Sequence, residues 1–279
     1  MNEIVDMTLV VIGPVTKDLI RIEDEETSKV GGATYFQSFV FEEFFNDYVA
    51  IVNCDDESLV NAFPDVGKVC VIEKDDTHFF INHYPDAGDL NVRNQLSNFA
   101  DIPICPDDLK GLLPDEIDGF VLNPLNRNDF PPQTVEFLKS FNVPLFLSIQ
   151  GFLRVPNDKV NDSYTIGLDN FDGLGAILSG ASAIFMDEAE ARLIGTDYDV
   201  DEMVITNGSF GSRIIAGDEI RIDPVPCDNP VDTTGCGDTF MASYVAQKLL
   251  LKTPETAGNF ASRIASEKIS SFGPYKPNK

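Results

Sequence analysis

At 279 residues, with 43% hydrophobic and 24% charged side chains, the chain has the balance of a globular domain that buries a full core, which excludes a disordered chain and a small stapled module. Forty-six acidic against 20 basic residues give a formal charge of −26, which repels nucleic acid and anionic membranes; the acids are spread (Glu23–Glu26, Asp55–Glu57, Asp197–Glu202), as on a solvated surface suited to a high-salt cell. Five scattered cysteines without a C-x-x-C pair indicate neither a disulfide framework nor zinc, and the longest apolar runs fall far short of the ~20 residues that cross a bilayer.

Met1–Asp6 carries Glu3 and Asp6 instead of a cationic leader segment, so the expected location is cytoplasmic. Met7–Ile12 is an apolar run closed by Gly13-Pro14 and predicts a buried first strand. Asp18–Glu23 alternates apolar and polar residues, and Ala33–Phe45 reads as a helix. Val49–Val52, Phe120–Leu122, Leu145–Ile149, Ala183–Met186 and Met203–Thr206 are short, apolar and turn-bounded. With the first strand they predict six central strands of an open, doubly wound, mostly parallel sheet with helices on both faces. Asp18–Glu23 and Val69–Tyr84 are expected to project from that sheet as a small β lid, inserted near 17–30 and 69–86 of a single domain covering 1–279.

The most informative stretch is Pro230-Val-Asp-Thr-Thr-Gly-Cys-Gly-Asp-Thr-Phe240, followed by apolar residues at helical spacing. A glycine-rich turn opening a helix presents unpaired N–H groups and the positive end of the helix dipole to an anion. Gly235, Cys236 and Gly237 are the expected donors, and Asp238, a carboxylate beside an anion site, is placed to accept a proton from an attacking hydroxyl. Taken alone, Gly-x-Gly-Asp also reads as a turn with Asp238 as helix cap. Cys236 reads as a small packing residue.

The full string resembles the Asp-Thr-x-Gly-Ala-Gly-Asp signature of the ribokinase-like (PfkB-type) carbohydrate kinases. Other segments are similar to that family in chain order: Gly13–Asp18, Val30-Gly31-Gly32-Ala33, Asp187-Glu188-Ala189-Glu190 and Thr206-Asn-Gly208-Ser-Phe-Gly211. Gln150-Gly-Phe-Leu-Arg154 and Phe272-Gly-Pro274 look like an archaeal and plant inositol-kinase-like branch. The resemblance implies transfer of the γ-phosphoryl group of ATP to an alcohol of a sugar or cyclitol. Asp18, Gly31, Gly32 and Gln150 would hold the acceptor, and Asp187, Glu190, Thr206, Gly208, Gly211 and Ser262 the nucleotide side. Asp187 and Glu190 would hold Mg²⁺ through water, and Asp232 and Thr234 are implied for a monovalent cation such as K⁺.

This sequence departs from the family at Phe36, where many members have a substrate-binding Asn that Gln37 could replace, at Asp187 for Asn, and at Ser148 for Asp. The alternatives are a nucleoside kinase or a catalytically silent ligand-binding or regulatory member of the fold. The lid strands are a candidate homodimer interface, and no nucleic-acid or membrane partner is expected.

Overall fold

The buried apolar runs become the middle of a large sheet. The computed structural model describes residues 7–22, 25–45, 47–84 and 94–277; Met1–Asp6, Glu23 and residues 85–86 of the expected lid lie outside them. Among the described residues, nine strands form this sheet: β1 (Leu9–Ile12), β4 (Tyr48–Cys54), β5 (Val69–Glu73), β8 (Gly119–Leu122), β9 (Leu145–Ser148), β12 (Ala183–Asp187), β13 (Met203–Thr206), β14 (Ser212–Ala216) and β15 (Asp218–Ile222). Their spatial order is β15-β14-β13-β12-β9-β8-β1-β4-β5. All neighbours from β13 to β5 are parallel, and β14 and β15 extend one edge as an antiparallel hairpin.

The second sheet is the lid. It contains β2 (Thr16–Ile22), β3 (Glu25–Gly31), β6 (His78–Tyr84), β7 (Asn94–Ser97), β10 (Arg154–Val160) and β11 (Ser163–Leu168), in the order β10-β11-β7-β6-β2-β3. Two expectations change here. Val69–Tyr84 is split: β5 pairs with β4, Ala50 opposite Val69, and joins the edge of the large sheet, while only β6 enters the lid. The strands β10 and β11 were not anticipated; they add a hairpin that brings Arg154 under the lid.

Successive side chains of a strand point to opposite faces, so a strand apolar throughout needs cover on both. Leu9 and Val11 face α1 (Ala33–Phe44), α7 (Cys236–Leu249) and α8 (Pro254–Lys268), whereas Val10 and Ile12 face the opposite layer. That layer comprises α2 (Pro106–Leu109), α3 (Pro132–Lys139), α4 (Gln150–Leu153), α5 (Leu174–Leu178) and α6 (Glu188–Ile194). All four β1 side chains are fully buried, each worth about 1.5–3 kcal/mol relative to exposure.

The sheet positions a site because β1 lies between β4 and β8, so the chain leaves β1 toward one edge and later returns to build the other. In such sheets the crevice at the carboxyl ends of the strands is the place for a ligand. The lid is fastened there by a buried polar cluster. His78 of β6 lies 3.0 Å from Asp129 and, through its other ring nitrogen, 3.0 Å from the Asn126 amide; the second Asp129 oxygen accepts from the Leu125 and Asn126 N–H groups.

Candidate active site

Helix α7 begins with Gly235 in the left-handed region, φ 75°. A side chain there is strained on two counts, because a Cβ atom would also lie 2.3 Å from the Phe36 ring. The Phe36 ring, expected only as the loss of a polar contact, thus buttresses the turn from α1. Gly237 differs: it has open space where a Cβ would point. The turn itself uses one of the three expected donors, since the Cys236 N–H donates to the Thr233 carbonyl at 3.1 Å. Cys236 is therefore corrected from donor to packing residue, and burial pushes its thiol up. The Gly235 and Gly237 N–H groups have no acceptor among the described residues.

Asp238 follows in the first turn of α7 and is half-buried. Burial pushes its carboxyl up to about 6; Arg154 and Lys268 pull it back, and Asp18 reinforces the rise. The Asp18 carboxylate arrives from the lid on β2, accepts a 2.6 Å hydrogen bond from the Thr16 hydroxyl, and presses on Gly31, where a Cβ would be 2.4 Å from its oxygen. Gly32, at φ 98°, turns the chain into α1. The fold therefore brings Asp18, Gly31 and Gly32 beside the glycine turn. Gln150 opens α4 just past the end of β9. Gln37 does not replace the missing polar contact: it is fully buried and exchanges hydrogen bonds of 2.9 and 2.7 Å with Asn123. A cavity of about 210 Å³ adjoins the turn, with Asp18 and Lys29 of the lid on one wall and Phe36, Asp232 and Thr234 on another.

Asp187 and Glu190 close a reciprocal cap at the start of α6: the Glu190 N–H donates to Asp187 Oδ1 and the Asp187 N–H to Glu190 Oε2, both at 2.8 Å. Burial pushes the Glu190 carboxyl up to about 7, helped by Asp187 and opposed by Arg154. Each carboxylate keeps one oxygen outside the cap. Among the described residues no group of three or more His, Cys, Asp or Glu gathers as a metal cage. This donor set fits Mg²⁺ held through water, as that ion keeps much of its hydration.

Thr206 sits opposite Asp187 in the β12–β13 register, and its hydroxyl donates to the Met186 carbonyl at 3.4 Å. Gly208 and Gly211 both have positive φ; Gly211 is packed, its absent Cβ 2.3 Å from the Ile222 carbonyl, whereas Gly208 faces open space. The Ser262 hydroxyl donates to the Asp223 carbonyl at 3.1 Å, and Ser266, one turn on, to the Pro226 carbonyl at 3.2 Å, tying the 223–226 segment to α8.

Asp232 is the anchor of the glycine turn. Its Oδ1 accepts from the Thr234 N–H at 2.9 Å, its Oδ2 from the Gly273 N–H at 3.0 Å, and its carbonyl from the Lys268 ammonium at 2.7 Å. Burial disfavours its charge, but these donors and Lys268 hold its carboxyl below the usual range. Two cations near these carboxylates, Arg154 and Lys268, were not among the expected site residues. Arg154, the end of the Gln-Gly-Phe-Leu-Arg stretch, lies near enough to Asp238 and Glu190 for its charge to favour the ionised form of both.

Residues 173–279, which carry the glycine turn, Asp187, Glu190 and Lys268, match the sequence profile of the pfkB family carbohydrate kinases. That match covers only residues 173–279, and over them the chain is similar to the PfkB family. A ribokinase of Bacillus subtilis (strain 168) is 36% identical over 102 residues, 33% of this chain and 34% of that protein. The chain thus matches about a third of the length of that curated relative. Among solved structures, a pyrophosphate-dependent kinase in the ribokinase family, complexed with a pyrophosphate analog and myo-inositol, superposes with a TM-score of 0.81 at 20% identity over 96% of this chain and 97% of its own. The Arabidopsis thaliana ribokinase complexed with ribose and ATP superposes with a TM-score of 0.71 at 19% identity, covering 96% and 94%. The chain has the ribokinase-like α/β fold.

Proposed function

We propose that this chain is a phosphotransferase of the PfkB family that moves the γ-phosphoryl group of ATP to a hydroxyl of a sugar or cyclitol. The observation that carries the reading is the Gly235–Asp238 turn: two unengaged N–H donors beside a half-buried carboxyl raised to about 6, with Asp18 of the lid facing it. Asp238 takes the proton of the acceptor hydroxyl while that oxygen bonds to phosphorus and the donor's bridging oxygen leaves with the bond electrons. The Gly235 and Gly237 N–H groups receive the charge on the transferring phosphoryl oxygens, an effect worth about 3 kcal/mol per donor in comparable anion holes. Asp18 with the Gly31–Gly32 backbone orients the acceptor, and the lid excludes water. Asp187 and Glu190 would hold Mg²⁺, which supplies neutralisation of the donor phosphates.

A second donor, inorganic pyrophosphate, is favoured by one observation. The Ser262 hydroxyl, expected on the nucleotide side, donates instead to the Asp223 carbonyl. A solved structure with the same fold is a pyrophosphate-dependent kinase bound to myo-inositol. The test is a coupled assay crossing ATP and pyrophosphate with inositols, hexoses, pentoses and nucleosides. Turnover with ATP and a cyclitol or sugar supports the reading; turnover with pyrophosphate alone replaces the donor; turnover with nucleosides alone replaces the acceptor.

A further inference from the structure

The residues implied for a soluble monovalent cation do not fit one, because the protein supplies its own. Helix α8 buries Ala257, Ala261, Ile264 and Lys268, which follow the spacing of one helical stripe, so a lysine stands where a core residue belongs. Lys268 is fully buried. A buried ammonium costs several kcal/mol unless its surroundings compensate, and a hydrophobic side chain of similar volume would serve packing alone better. Its Nζ donates to the Asp232 carbonyl at 2.7 Å and stands 3.9 Å from Asp232 Oδ2. Both Asp232 carboxylate oxygens are already committed to the N–H groups of Thr234 and Gly273. Each oxygen thus already accepts a backbone donor, and the ammonium 3.9 Å from Oδ2 repels a second cation there, so positive charge already sits at the foot of the turn that carries Gly235, Gly237 and Asp238. The same ammonium acts on Asp238 and Cys236.

We propose that the Lys268 ammonium is the built-in monovalent cation of the glycine turn, a positioning residue that holds the Asp232 carbonyl and makes turnover independent of soluble K⁺. The inference rests on the phosphotransferase reading given above. Its chemistry is general: a fixed charge behind an anion site acts as a bound ion would, without the ion's need to be captured.

The test uses the full chain at constant ionic strength. The wild type is assayed in K⁺, Na⁺ and choline salts, and Lys268→Ala and Lys268→Met are assayed with and without methylammonium and K⁺. The expected result is equal wild-type turnover in the three salts and a fall in kcat of about tenfold or more in both variants, with acceptor KM little changed. Methylammonium or K⁺ should restore kcat in Lys268→Ala, where there is room, and not in Lys268→Met. A wild type that requires K⁺, or an alanine variant with undiminished kcat, overturns the proposal, and the first of these needs no variant to fold. Should no acceptor support turnover in the wild type, the phosphotransferase reading fails on its own. The ammonium site is then read from the melting temperature of Lys268→Ala: stabilisation by methylammonium but not tetramethylammonium supports it, and equal response to both overturns it.

Discussion

Replacing Asp238 by Asn removes the proposed base and a disfavoured buried charge together, so activity and stability should move in opposite directions. A base of this kind contributes about 10²–10⁴-fold to turnover, and a fall of at least 10² in kcat is expected with donor binding retained. Raising the carboxyl from its ordinary 3.8 to about 6 corresponds to at most roughly 3 kcal/mol, at ~1.4 kcal/mol per pH unit, and solvent at this half-buried group brings the expected gain nearer ~2 kcal/mol. The sign follows from the folded carboxyl lying above its unfolded value. The stability this group lends the wild type is complete below about pH 4 and is lost as pH rises through about 6. Asn loses nothing over that range. The variant should therefore melt several degrees higher than the wild type above about pH 6, and the difference should vanish near pH 4. Scanning calorimetry across that range, beside the coupled assay, reads both effects. A variant that is less stable at neutral pH, or that keeps full turnover, refutes the reasoning.

The two glycines of the turn should separate structure from chemistry. Gly235→Ala meets both a positive φ and the Phe36 ring and should cost about 2–4 kcal/mol in denaturant unfolding, whereas Gly237→Ala should unfold like the wild type yet lower kcat about tenfold or more by intruding on the anion space. Glu190→Gln should raise the Mg²⁺ needed for half-maximal turnover at about pH 8, where the wild-type carboxyl is charged, and change it little at about pH 6, where that carboxyl is largely protonated; a Mg²⁺ titration at both pH values checks this. Asp129→Ala removes one of the two partners of buried His78 and leaves the Leu125 and Asn126 N–H groups without their acceptor, so urea unfolding should show a loss of roughly 3 kcal/mol.

The central strands and the glycine turn were legible because each leaves an unambiguous local mark: a run apolar on both faces, or two glycines opening a helix behind an Asp. The lid was half legible. Asp18–Glu23 and Val69–Tyr84 read as projecting strands, but Arg154–Val160 contains Pro156 and three charged residues, and a register shift between Pro156 and Lys159 breaks its pairing, so no period survives to be read. Val69–Glu73 resembled a lid strand because an edge strand of the large sheet carries the same half-exposed pattern. Gln37 was misjudged for a different reason: its partner Asn123 is 86 residues away, and only the fold decides whether a polar side chain meets a substrate or another amide. Lys268 did leave a signal, its place in line with Ala257, Ala261 and Ile264 on an otherwise apolar stripe. Arg154 stood inside the Gln150–Arg154 stretch, but its influence on Asp238 and Glu190 arises only where the β10–β11 hairpin returns to the crevice.

The most direct test of the phosphotransferase reading is donor consumption measured with Mg²⁺ and each acceptor in turn, wild type beside Asp238→Asn. The account predicts acceptor-dependent release of ADP or orthophosphate with a sugar or cyclitol, lost at least 10²-fold in the variant. Donor binding without turnover on any acceptor, or turnover that Asp238→Asn leaves intact, would contradict it.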